Sequence, residues 1–146
     1  MDGIEPIEVL LVEDNPADVR LTEEVLKEGR ILNNVSVVHD GVEAMACMRH
    51  EDGYADMPEF DLVLLDLNLP KMDGREVLAA MREDPVLSRV PVIVLTTSSD
   101  EADVLKAYDL HANCYITKPV KLDDFVGVLR SIEDFWFTVV RLPSRE

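Results

Sequence analysis

Three carboxylates, a hydroxyl and an ammonium fall where short apolar runs of this 146-residue chain end. Glu13-Asp14 closes one run, Asp66 a second and Thr96-Thr97 a third, and Lys118-Pro119 follows a fourth. In an open sheet of parallel strands, such residues converge beyond the carboxyl ends of the strands. Crowded carboxylates repel and raise one another's pKa unless a cation sits among them. A hard divalent cation is the natural partner. Mg²⁺ suits best, because it takes one or two carboxylates, keeps waters and then accepts phosphoryl oxygens. Lys118 as a point charge and Thr96 as a hydroxyl donor complete an anion site. Together these groups suit the transfer of a phosphoryl group onto a carboxylate.

The elements that must position them alternate along the chain. Ile7 to Val12 reads as a strand. Asn15-Pro16 then starts a helix, Asn as cap and Pro as first helical residue, with Val19, Thr22, Val25, Leu26 and Gly29 on one face. Val35 to His39 is a second strand; Asp40 caps a second helix to about His50, with Glu43 at capping-box spacing. Residues 51–60 form a polar loop with Gly53 and Pro58. Leu62 to Leu65 is a third strand, residues 67–73 a Pro-containing loop and Gly74 to Glu83 a third helix. Val90 to Thr96 is a fourth strand, Asp100 to His111 a fourth helix, Cys114 to Ile116 a fifth strand, and a fifth helix begins at Lys121. Strict alternation implies a parallel sheet with helices on both faces. The uninterrupted apolar runs of the third and fourth strands fit a sheet buried twice.

Composition narrows the function. The 30 acidic against 14 basic residues leave a net charge of −16, which argues against nucleic acid and anionic membranes as partners. Cys47 and Cys114 belong to no CxxC or Cys/His pattern and read as free thiols in a reducing compartment. There is no signal-peptide pattern and no apolar run of membrane-spanning length, so the expectation is a cytoplasmic protein. No internal repeat or interdomain linker is visible, so residues 1–146 read as one domain without an attached output domain.

With these motifs in this order, the chain resembles a response-regulator receiver domain of the CheY-like family. The resemblance is carried by Glu13-Asp14, Asp66 in LVLLDLNLPKMDG, Thr96 in VPVIVLTT and Lys118-Pro119, and covers about residues 5–135. Thr96 and Lys118 follow Asp66 by 30 and 52 residues, as the family pattern requires. The resemblance implies a flavodoxin-like, doubly wound five-stranded sheet of order 2-1-3-4-5 with five helices. It implies Asp66 as phospho-acceptor, with Asp14 and Asp66 binding Mg²⁺, Glu13 helping through water and Asn68 adding its backbone carbonyl. Lys118 would pair with the carboxylate and then the phosphoryl group, Thr96 would hydrogen-bond that group, and Tyr115 would rotate with it. The face that switches would be built from the fourth helix, fifth strand and fifth helix. Departures are Glu at position 13, which the family allows, Thr97 where a smaller residue is common, and the longer 51–60 loop. That loop, DLNLPKMDGREVLA and the aromatic tail ending in Leu142-Pro143 also resemble single-domain regulators that partner phytochrome-type histidine kinases.

Rival readings are weighed on the same residues. A haloacid-dehalogenase-type phosphatase also forms a phospho-aspartate, but needs a second acid two residues after the nucleophile, where this chain has Asn68. A phosphorylation-independent interaction module would expect decay of the acidic pair, Asp66 or Lys118. A flavin site would want a phosphate-cradling loop where Glu13-Asp14 stands. Asp61 lies at the wrong end of the sheet to be a ligand, and His39, His50 and His111 read as structural or surface residues.

The C-terminal segment carries a further expectation. Phe125, Leu129, Ile132, Trp136 and Val139 form one apolar helical stripe, with Phe135 and Phe137 beside it. Such a stripe exceeds what one sheet face can cover and marks an interface. The expected assembly is a two-fold homodimer through the switching face, with the extended helix or tail at about 135–146 in its centre.

Overall fold

The computed structural model describes residues 6–28, 32–96, 114–118, 120–124 and 127. Five strands, β1 (Ile7–Val12), β2 (Asn33–Val38), β3 (Leu62–Asp66), β4 (Val92–Thr96) and β5 (Cys114–Thr117), form one sheet of order β2-β1-β3-β4-β5. Every neighbouring pair is parallel. The helices are α1 (Pro16–Glu28), α2 (Gly41–Met48) and α3 (Gly74–Glu83), with a short 3-10 turn at Leu87–Arg89. The expected fourth helix and most of the fifth lie outside the described residues, as does the tail; helical backbone is present at 122–124.

Period-two alternation divides the strand side chains between two cores. On one face Leu10, Val12, Val63, Leu65, Val92 and Val94 pack against Ala44, Met45, Cys47 and Met48 of α2 and Val77, Leu78 and Met81 of α3. On the other, Val9, Leu11, Leu62, Leu64, Ile93, Leu95 and Ile116 meet Val25 and Leu26 of α1, together with Val120. Each such side chain contributes about 1.5–3 kcal/mol by leaving water, which is why the central strands tolerate no polar residue before their ends. Cys47 is a buried free thiol. Among the described residues, no helix is long and apolar enough to cross a membrane.

Several boundaries differ from the sequence reading, for local reasons. β2 starts at Asn33 rather than Val35: Asn33 Nδ2 donates to Leu26 O at 3.0 Å and Asn34 Nδ2 to Glu8 Oε2 at 3.0 Å, so both amides serve an edge strand. α2 ends at Met48, because Arg49 caps it and His50 turns into the left-handed region at φ 61°. β4 starts at Val92, although the Pro91 carbonyl already accepts from Val63 N–H at 3.0 Å. The 51–60 loop is tied inward by buried Phe60, with Tyr54 and Met57 packed on the core.

Two Asp-Gly helix starts fix the loop after β3. Asp40 caps α2 through Glu43 N–H at 2.8 Å, and Glu43 Oε1 reaches back to His39 N–H at 2.9 Å, one residue short of a full capping box. Asp73 and Glu76 close a complete box at the start of α3, at 3.0 and 3.1 Å. A Cβ at Gly41 would meet the Met72 carbonyl carbon at 2.8 Å, and one at Gly74 would meet Leu67 Cα at 2.6 Å. Lys71, at φ 67°, sets its ammonium 3.6 Å from buried Asp40 Oδ2. The loop that leaves Asp66 is therefore gripped from both helices.

Candidate phosphoryl-acceptor site

The carboxyl ends of β1, β3, β4 and β5 bring the sequence-selected residues to one edge. Val12 pairs in register with Leu65, so Glu13 leaves β1 beside Asp66 at the end of β3. Asp66 pairs with Leu95, and Thr96, the last residue of β4, pairs with Thr117. Lys118 follows directly. Glu13 N–H donates to Val38 O at 3.0 Å, which holds the turn out of β1 against β2.

Lys118 is the centre of the site. Its Nζ donates to Glu13 Oε1 at 2.7 Å, Asp18 Oδ2 at 3.0 Å and Asp66 Oδ2 at 3.1 Å. The Lys118 side chain is 5% exposed and that of Glu13 0%. The second oxygens are used as well: Asp66 Oδ1 accepts from Asn68 N–H at 3.0 Å, and Glu13 Oε2 from Asn15 N–H at 3.3 Å. Burial pushes the Glu13 carboxyl up to about 7, against the opposing pull of Lys118, with Asp66 adding to the rise. Burial alone would lower Lys118, but its hydrogen bonds to Glu13 and Asp18 and the charge of Asp66 outweigh it, and the ammonium is held well above the ordinary lysine value.

Glu13, Asp14 and Asp66 each offer a carboxylate oxygen, all within 4.8 Å of one another. Two of these residues are buried and Asp14 is exposed, so the cluster opens to water on one side. Three hard oxygen donors with a solvent-facing side fit a small divalent cation that keeps some of its waters. They do not fit a soft metal, which would ask for sulfur or imidazole.

The remaining expected residues have definite places. Asn68 is exposed, with its N–H on Asp66. Tyr115, in register with Val94 on β5, is 39% exposed. Asp61 is structural: its Oδ2 accepts from Glu8 N–H at 2.8 Å, at the amino ends of the strands. Asp18 was not foreseen. It stands in the first turn of α1, four residues after Asp14, where a carboxylate reads simply as complementing the helix dipole. Its place in the first turn of α1, just after the Glu13-Asp14 turn, was the one available sign that it lies near the same edge.

A doubly wound parallel sheet whose carboxyl edge pairs an acidic cluster with a buried lysine defines a phosphoryl-accepting signalling domain. The chain belongs to the response regulator receiver domain family, whose sequence model matches residues 9–130. It is similar to response regulator Rcp1 of Synechocystis sp., 49% identical over 139 residues that make up 95% of either chain. Among solved structures it is similar to the phosphorylated cyanobacterial phytochrome response regulator RcpA: TM-score 0.79 and 50% identity over 96% of this chain and 100% of that one. The Mn²⁺-bound form of Rcp1 matches with TM-score 0.78 and 49% identity over 95% of this chain and 100% of that one. The chain is thus a response-regulator receiver of two-component signalling whose relatives are phytochrome response regulators, and a receiver is not a classical enzyme.

Proposed function

We propose that Asp66 accepts a phosphoryl group from a histidine kinase in a Mg²⁺-dependent reaction. The observation that carries this reading is the Lys118 ammonium, 3.1 Å from Asp66 Oδ2 beside the three-carboxylate cluster. An Asp66 oxygen attacks phosphorus, the P–N bond of the phosphohistidine breaks, and the imidazole leaves with its electron pair. Lys118 and Asn68 N–H hold the acceptor carboxylate in place before attack. Glu13, Asp14 and Asp66, with the Asn68 carbonyl, would hold Mg²⁺, which would supply charge neutralisation for the transferring group. After transfer Lys118 is near enough to pair with a phosphoryl oxygen, so the protein mainly positions and neutralises. Self-catalysed hydrolysis of the acyl phosphate resets the site.

Thr96 and Tyr115 are the switch in this reading. Thr96 turns to the phosphoryl group, Tyr115 follows, and the face built around β5 changes its partner preference. Support comes from register: Thr96 stands one residue beyond Leu95, the partner of Asp66, and Tyr115 lies on the neighbouring strand. Likeness to RcpA and Rcp1 supports a phytochrome-type kinase as donor, and a receiver acting in the cytoplasm, where kinase ATP is found. The aromatic stripe of the C-terminal segment supports a homodimer through the same face, and the charge of −16 supports a partner other than nucleic acid.

Incubation with a small phosphodonor and Mg²⁺, followed by mass spectrometry, tests the central step. One phosphoryl group should appear on Asp66, and neither Asp66→Asn nor the Mg²⁺-free protein should gain it. An undiminished mass shift in Asp66→Asn overturns the assignment.

A further inference from the structure

Lys118 donates to three carboxylates, but only Glu13 and Asp66 belong to the cluster suited to a cation. The third is Asp18, whose Oδ2 lies 3.0 Å from Nζ, as close as Asp66. An ammonium has three protons, and these three bonds use them all. Helix needs do not explain the contact. An acid in the first turn complements the dipole whichever way its side chain points, and the Asp18 N–H is already satisfied by Asn15 Oδ1 at 3.2 Å. The Asp18 carboxylate is 22% exposed and is aimed at an ammonium that is itself buried.

Charge decides what this contact does. Glu13, Asp18 and Asp66 share one lysine and Asp14 lies beside Glu13 and Asp66, so the site attracts a divalent cation and repels an incoming phosphoryl group. Asp18 adds to both effects. It also occupies one of the three Lys118 protons that a phosphoryl group would otherwise recruit.

We propose that Asp18 is a positioning residue for phosphoryl transfer, which shares the Lys118 ammonium with Asp66 and so favours the cation over the phosphoryl group. This rests on Asp66 being the acceptor. Its consequence is a site that fills with metal first and holds the phosphoryl group less firmly than the same site without Asp18.

Asp18→Asn keeps the shape and an accepting oxygen while removing the charge. Titration calorimetry would measure Mg²⁺ alone, then beryllium fluoride, which mimics a phosphoryl group on a carboxylate, at saturating Mg²⁺. Through Nζ, the Asp18 and Asp66 oxygens are at most about 6 Å apart, a separation at which one charge shifts each affinity about three- to tenfold. Mg²⁺ should bind about that much more weakly and beryllium fluoride about that much more tightly. Asp18→Ala, with a strong helix former, should split the two affinities in the same directions, and Asp18→Glu should bring both back toward wild type. A residue that merely supports α1 would weaken both ligands together; that result, or no change in either, overturns the proposal. Wild type should bind beryllium fluoride and Asp66→Asn should not. If wild type binds none, the acceptor reading fails and this inference with it; if it binds and the variants do not split, only the Asp18 assignment fails.

Discussion

Gly74 lies directly against the backbone of Asp66: a Cβ at position 74 would press on the Asp66 carbonyl oxygen and stand 2.6 Å from Leu67 Cα. The neighbours are backbone atoms of a buried strand end, so they cannot swing aside as a flexible side chain would. Gly74 N–H meanwhile donates to Leu67 O at 3.0 Å, which locks the first turn of α3 to the end of β3.

Gly74→Ala should therefore cost more than its favourable helix propensity returns. Overpacking against backbone costs about 1–3 kcal/mol, whereas Ala gains up to about 1 over Gly within a helix. The urea midpoint should fall, and the rate of Asp66 phosphorylation by a small donor should fall with it, because the loop after Asp66 has to move. A phosphorylation rate equal to wild type would show that the loop relaxes without disturbing the acceptor.

Lys118→Met should be destabilising chiefly when no divalent cation is present. Removing one partner of a buried ionic group costs about 3–5 kcal/mol, and here three carboxylates lose the same partner. Glu13 can take up a proton rather than stand as an unpaired anion, which holds the loss to about 2–3 kcal/mol. Millimolar Mg²⁺ should recover much of it. Equal denaturation midpoints for wild type and variant in EDTA would contradict this.

The pH dependence follows from Glu13, whose carboxyl sits at about 7 in the fold against the ordinary 4.5. The folded state then binds more protons than the unfolded chain between those two values. This group's contribution is fully present below the unfolded value and is lost as pH rises through the folded one. In EDTA the urea midpoint should therefore drop between about pH 5 and about pH 8. A cation competes with the Glu13 proton, so Mg²⁺ affinity should rise over the same range, and saturating Mg²⁺ should flatten or reverse the stability slope. A midpoint in EDTA that rises with pH across that window would refute the buried, proton-holding Glu13.

How far these features were legible in the sequence depends on the kind of interaction. β3 and the core of β4 announce themselves, because a strand buried on both faces must be apolar at every position until its end. The bounds of α3 are equally plain, with Gly74 after a capping Asp73. Asn33 and Asn34 hid the start of β2, since their fitness for a strand lies in partners, Leu26 O and Glu8 Oε2, that no propensity reveals. At the site, Glu13, Asp66 and Lys118 were legible because each interrupts or follows an apolar run. Asp18 was not: it sits in a helical turn where acids are common, and its decisive contact is with a residue 100 positions away.

That separation has a kinetic side. The Lys118 bonds to Glu13, Asp18 and Asp66 span 105, 100 and 52 residues, and the first two are among the least local contacts a chain of this length can make. Loops so long close late, after hairpin-scale and helical contacts have formed. Until β5 docks on β4, the acidic edge has no ammonium and its carboxylates repel one another. A half-folded chain therefore cannot present the paired acceptor. Under the proposed function, competence for phosphorylation requires β5 to be docked on β4, because that docking delivers Lys118 to Asp66.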